Sequence, residues 1–194
     1  LIGVINVMKY INNCNNSILL PNPITQVASM PYPLYLSLQG KYFVGHSDEL
    51  EFGNNTSAWA GLINPSCSGV NLHVYVWTVT NSGKYPINVQ IWFNSNLPGS
   101  PYVSEFVTPS NTALCPLPSP RVDLLQATDV IDKPIEGVNA YIRTAPPDTT
   151  IVAEEDGKFI FPPGGSFIVF LSNLENPNEP AKGTVSFGWW EEKI

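Results

Sequence analysis

A chain of 194 residues with 43% apolar content can fill the core of one sizeable domain. Only 13% of its residues are charged, against roughly 25% in an ordinary soluble domain, and the net charge is −7. So few Lys and Arg argue against nucleic acid and anionic membrane surfaces as partners, and no run approaches the ~18 apolar residues of a spanning helix. Polarity comes instead from Asn, Ser and Thr, which suits a surface that packs against other copies or molecules rather than repelling them.

Residues 1–30 differ from the rest. An apolar, β-branched stretch over 1–11 is followed by Asn12-Asn13-Cys14-Asn15-Asn16 and then by prolines at 21, 23, 31 and 33, which favour extended backbone and argue against helix. The reading is an extended N-terminal arm over 1–30 and a second region over 31–194. The alternative is an edge strand folded onto its own domain. If the arm docks on a neighbour, Ile2, Val4, Met8 and Tyr10 form one inserting face and Leu1, Ile5, Val7 and Ile11 the other.

From Leu34 onward, short strand patterns alternate with turns. Residues 34–38 alternate with period two, 41–45 continue after Gly40, and 59–63 end at Asn64-Pro65. The strongest strand covers 70–81. It places Val70, Leu72, Val74, Val76 and Thr78 on one face, with Asn71, His73, Tyr75, Trp77 and Val79 on the other. With 87–94 it reads as a hairpin around Asn81-Ser82-Gly83-Lys84, leaving Ile87, Val89, Ile91 and Phe93 inward and Trp92 outward among amides. Residues 95–120, rich in Pro, Ser and Asn, read as a long crossover between sheets. Residues 123–130 read as one helical turn at most. Strands return at 138–144, 150–153, 158–161, 166–171 and 184–190, and Glu154-Glu155-Asp156-Gly157-Lys158 reads as a hairpin tip. The sum is an all-β fold, an antiparallel β-sandwich of jelly-roll or immunoglobulin-like type with an extended N-terminal arm.

Little in this pattern points to catalysis. His46-Ser47-Asp48 joins three triad residue types, but neighbours on an extended segment point apart and no nucleophile elbow accompanies them. Carboxylates cluster at Asp48, Glu49 and Glu51, at Glu154 to Asp156, and at Glu191 and Glu192, without a recognised calcium-loop pattern. No cofactor motif, phosphate-binding loop or metal-ligand spacing is present, so no enzyme activity, cofactor or metal is expected. Cys14, Cys67 and Cys115 are either three buried thiols in a reducing compartment or a Cys67–Cys115 bridge with Cys14 left to pair between molecules. The aromatics Tyr75, Trp77, Trp92, Trp189 and Trp190 are core filler or, where exposed, contacts for a partner or a sugar ring. Because neighbours on a strand face opposite sides, one of Trp189 and Trp190 points away from the core and needs a loop, a ligand or another subunit to cover it.

The string from Gly157 through Phe159-Ile160-Phe161-Pro162-Pro163 to Gly165, with the closing Phe187-Gly188-Trp189-Trp190-Glu191-Glu192, resembles uncharacterised domains of spore-forming Gram-positive bacteria. The layout of a Cys-bearing arm before a charge-poor sandwich resembles the pilus-like endospore appendage subunits of those bacteria. The resemblance implies a jelly-roll subunit of an extracellular or spore-surface fibre. Its partners would be other copies, joined by donating an N-terminal strand to a neighbour's sheet, with covalent links through arm cysteines. A single arm cysteine, Cys14, stands here where that family carries a pair. The expectation is a self-assembling structural subunit, with a carbohydrate-binding module as the alternative.

Overall fold

A computed structural model describes residues 29–173 and 175–194, together with the backbone of 4–5 and 26–27. In chain order the elements are β1 (Val4–Ile5), β2 (Gln26–Val27), α1 (Tyr32–Leu38), β3 (Tyr42–His46), β4 (Leu50–Phe52), β5 (Ser57–Ile63), β6 (Val70–Asn81) and β7 (Ile87–Phe93). They continue with β8 (Tyr102–Val103), β9 (Val107–Pro109), β10 (Asp123–Val130), β11 (Val138–Ala145), β12 (Thr149–Phe161), β13 (Ser166–Ser172) and β14 (Ala181–Lys193). The fold is an all-β sandwich of two antiparallel sheets. The first sheet has the order β11-β7-β13-β5-β10-β8. The second has β12-β6-β14-β3-β9, with β4 also on β14.

The core lies between the inner faces. Ala58, Ala60, Leu62, Ile87, Val89, Ile91, Phe167, Val169 and Leu171 come from the first sheet, and Phe43, Leu72, Val74, Trp77, Val185, Phe187 and Trp189 from the second. A smaller cluster covers the outer side of the first sheet. There Trp59, Ile168 and Phe170 pack with Val130, Trp92 and Leu97, and the Trp59 indole N–H donates to Pro98 O at 2.8 Å. The segment after β7 thus folds over the central strands, which is why both faces of β13 are buried.

Several expectations are corrected. Residues 34–38 belong to a helix, not a strand. Pro31 stands at the N-cap and Pro33 in the first turn, where the missing N–H has no helical partner to lose, so these prolines start α1 instead of preventing it. Residues 123–130 form β10, paired with β5 along its length. The Glu154–Lys158 run is not a hairpin tip but a bulge inside the single strand β12, where register shifts between Glu154 and Phe159 and Asp156 and Gly157 take left-handed backbone. The two strands β6 and β7 are not a hairpin, because they lie in opposite sheets. None of β3 to β14 pairs with its immediate successor.

The strand β6 also slips. Gly188 pairs with Val76 and Trp189 with Val74, so Tyr75 is an extra residue on β6. Beyond it the inward set changes parity, and Trp77 and Val79 are buried while Val76 and Thr78 turn outward. Trp77, expected outward, is therefore a core residue. The residues from 95 to 120 are a crossover as expected, with β8 joining one sheet and β9 the other. The N-terminal docking residues Leu1, Ile2, Val7, Met8, Tyr10 and Ile11, and Cys14, lie outside the described residues. Of that set Val4 and Ile5 form β1, which pairs antiparallel with β2, Val4 opposite Val27 and Ile5 opposite Gln26.

Buried amides hold corners at which the chain changes sheet. Asn81, at the end of β6, donates from Nδ2 to Tyr85 O (2.8 Å) and Ala145 O (2.9 Å), while its Oδ1 accepts from Gly83 N (2.9 Å). At the opposite corner, Asn64 Nδ2 donates to Val70 O (2.8 Å) and Phe161 O (3.0 Å). Removing such a side chain strands backbone groups in a dry site, at a cost of about 1–3 kcal/mol per unsatisfied group. Asn81→Ala is expected to destabilise the fold by roughly 2–4 kcal/mol, read as a lower urea midpoint at unchanged slope.

Candidate functional site: the outer face of the second sheet

The outer face of the second sheet is covered over one part only. Trp190 turns outward from β14 and is met by α1. Tyr32 sits edge-on to it at 5.7 Å between ring centroids, Tyr75 lies at 5.9 Å, and Leu36 and Tyr42 complete the cluster. The His73 ring stacks flat on Trp190 at 5.1 Å, its Nδ1 is 3.1 Å from Gly157 O and its Nε2 is 3.1 Å from the Glu192 carboxylate. So Trp189 is the core residue of the pair, and Trp190 finds its cover within the same molecule. Neither is exposed. Burial, with Tyr75 beside it, pushes the Tyr42 hydroxyl well above the ordinary tyrosine value.

The bulge in β12 exists to fit this cluster. A Cβ on Gly157 would stand 1.7 Å from Trp190 Cη2, and its φ of +72° is one that side chains rarely adopt. Both facts demand glycine there.

Beside α1 the face is open. A trough of about 590 Å³ runs across β6, β14, β3 and β9, lined by Val44, Val76, Thr78, Ser186, Phe106 and Val107 among others. Its floor is low because Gly188 occupies an outward position inside a strand. A Cβ on Gly188 would approach Tyr42 Oη to 2.6 Å and Val76 Cγ1 to 2.8 Å. Of the lining side chains only Glu105 is a carboxylate, none is Lys or Arg, and Phe106 is half exposed with His46 stacked on it at 4.6 Å. The helix α1 shows solvent an apolar surface: Tyr32, Leu34 and Leu38 are each about half exposed, as is Met30 just before it. A glycine inside the strand pattern Phe187-Gly188-Trp189 is the sequence signal of close approach that the reading of this run passed over.

The other candidates have structural roles. The Ser47 hydroxyl donates to Asp48 O (2.7 Å) and accepts from Val185 N (3.0 Å), and His46 Nδ1 lies against Ser47 O, so the three neighbours do not form a relay. The Asp48 carboxylate accepts from Gln126 Nε2 (2.8 Å) and Tyr102 Oη (3.3 Å). Burial, then the Asp48 charge, raises the Tyr102 hydroxyl. Glu191 is buried and accepts from the backbone N–H groups of Arg121 (2.9 and 3.0 Å) and Val122 (3.0 Å), which ties the end of the long crossover to β14. Burial pushes its carboxyl up, against the lowering pull of those donors. Glu155 accepts from the Trp77 indole at 3.2 Å. Among the described residues no three potential metal ligands converge and no helix is long and apolar enough to cross a membrane. A second hollow of about 510 Å³ lies at one end of the sandwich, with Glu51, Asp129 and Glu179 set against Lys84 and Lys182.

Cys67 and Cys115 are both free and exposed, so they are neither buried thiols nor joined in the alternative Cys67–Cys115 bridge. Trp92 remains partly exposed, its indole N–H donating to Gln90 Oε1 at 3.0 Å, and Tyr75 is partly buried against Trp190. At the sheet margins, β11 has a free side with Val138, Tyr141 and Ile142 exposed, and its one charged residue, Arg143, lies 5.0 Å over the Trp77 ring. By contrast, β12 carries Glu154, Asp156 and Lys158 in its bulge, a combination that discourages pairing.

A family of unknown function, DUF6143, matches residues 16–194. The chain belongs to that family. Neither the curated proteins nor the solved structures contain a match to it.

Gly157→Ala is expected to drive the bulge off Trp190. The loss should be about 2–3 kcal/mol or more from strain and overpacking, with a red shift of tryptophan emission as α1 loosens. Ellman's reagent should titrate Cys67 and Cys115 in the native protein without denaturant.

Proposed function

We propose that this chain is a structural subunit that assembles with copies of itself, at an extracellular or spore surface, through the segment that precedes α1. The observation that carries this reading is the half-covered outer face of the second sheet. Its trough and the solvent side of α1 together present apolar groups with almost no charge. Contiguous apolar area beyond a few hundred Å² is uncommon on a monomer and marks an interaction surface. The N-terminal segment matches it in character, since Lys9 is the single charged residue before Lys41. Of the side chains with catalytic chemistry, Ser47, Asp48 and His73 are engaged in joining segments of the sheets and His46 stacks on Phe106, which supports a binding role over a catalytic one. Of the five aromatics read from the sequence as possible sugar contacts, Trp77, Trp189 and Trp190 are buried, which leaves only Trp92 and Tyr75 of that set partly accessible and weakens the sugar-binding alternative.

Light scattering across a concentration series tests the reading. The full chain should grow into large species, and the chain lacking residues 1–28 should stay monomeric with an unchanged circular dichroism spectrum. Growth that survives the deletion, or a full chain that remains monomeric at every concentration, would overturn it.

A further inference from the structure

The few cations of this chain are not spread evenly. Where β6 begins and β14 ends, Lys41, Arg121 and Lys193 line a hollow of about 210 Å³, beside the buried Phe43 and Val70. They are three of only nine Lys and Arg residues in a chain of net charge −7. We propose that this hollow binds a small doubly charged oxyanion of the phosphate class, held by the Arg121 guanidinium and the ammonium groups of Lys41 and Lys193. The site is separate from the trough and does not rest on the assembling-subunit reading.

The backbone brings the three cations together. Glu191 N donates to Lys41 O at 3.1 Å, and Lys193 pairs with Val70. Strand alternation then puts Lys41 on the side of Phe43, and Lys193 on the side of Trp189 and Glu191, so both lie at the end of the core face. Arg121 arrives from the long crossover with its side chain anchored. Its Nη1 donates to Ser68 O at 2.8 Å, and its main-chain N–H donates to both oxygens of Glu191. No other side-chain N–H of Arg121 donates to a described residue. A planar fork held at one nitrogen, with donors to spare, is pre-organised for the oxygens of a phosphate.

These charges are also uncompensated. The ion pairs among the described residues use His73, Lys158 and Lys182, and none uses Lys41, Arg121 or Lys193. The one carboxylate in the lining, Glu191, is buried and already accepts from the N–H groups of Arg121 and Val122 and, at 3.5 Å, from the Trp189 indole. Three cations against that carboxylate leave two positive charges in excess, which a dianion matches. With water occupying about 30 Å³ per molecule, the hollow has room for a tetrahedral ion and some of its waters. It is smaller than the roughly 300–1,000 Å³ of a drug-sized ligand site, so the remainder of any larger phosphate ester would lie in solvent.

Calorimetric titration of the full chain with inorganic phosphate, in a fixed sodium chloride background near neutral pH, tests this. One saturable event per chain is expected. Arg121→Gln should weaken it about tenfold, and Lys41→Gln and Lys193→Gln roughly threefold each. Lys84→Gln, in the hollow at the other end of the sandwich, should leave it unchanged. Arg121→Gln also loses the bond to Ser68, so if that variant misfolds the two lysine variants, whose side chains are exposed, decide the matter. Glycerol phosphate separates the sources of the ligand: displacement of inorganic phosphate assigns the site to phosphate esters, and its failure to displace assigns the site to the free ion. The absence of saturable heat up to about 20 mM phosphate, or binding that both lysine variants leave unchanged, overturns the proposal and leaves the assembling reading untouched.

Discussion

The sandwich depends on how the chain passes from one sheet to the other. Between β3 and β14 no strand pairs with its successor; the tight Asn54-Asn55 turn, closed by hydrogen bonds between Gly53 and Thr56, joins strands that go on to opposite sheets, so turns do not set the strand register. Side chains take over that task. The amide of Asn81 collects Tyr85, Gly83 and Ala145 at one corner, and the amide of Asn64 collects Val70 and Phe161 at another. The Glu191 carboxylate does the same for the end of the long crossover. In each case a buried side chain bonds backbone groups at a corner, through both ends of the Asn81 amide, the Nδ2 of Asn64 and the carboxylate of Glu191.

The scarcity of charge and the shape of the second sheet belong together. A sheet face exposed to water ordinarily carries alternating polar side chains. Here the outward positions of β3, β6 and β14 around the trough are Val44, Val76, Thr78, Ser186 and Gly188. Small and uncharged, they make a recess, and α1 covers the adjoining part with a cluster of aromatic rings. Trp190 shows what such a recess asks for, since its outward ring is covered by tyrosines, a histidine and a glycine placed by a bulge.

Much of the fold was legible in the sequence because period-two alternation survives in most strands. The faces of β7 follow it, with Ile87, Val89 and Ile91 buried, and so do the positions of β5, β11, β13 and β14. The failures have one kind of cause. Alternation cannot report an inserted residue, so Tyr75 moved Trp77 from the outside to the core. Turn residues cannot report where the chain goes next, so Asn81-Ser82-Gly83-Lys84 was legible as a reversal but not as a change of sheet. Asp156-Gly157 supplied the left-handed backbone of a turn, yet it serves a bulge fixed by a distant Trp190. Prolines at 31 and 33 argue against helix when taken one by one, yet their place at a helix start makes them compatible with one. The trough is assembled from four strands remote in sequence, and its only local trace is a glycine among large residues.

The position of β14 has a consequence for biogenesis. It lies between β6 and β3, in the middle of its sheet, yet it is the latest strand in chain order. Until residues 181–193 have left the ribosome, the two halves of that sheet have no strand to join them. The nascent polypeptide must therefore wait, with Trp77 and its neighbours unshielded, for a late insertion that completes both halves at once. Premature termination anywhere upstream yields no smaller working domain, only a chain for chaperones and proteases to remove.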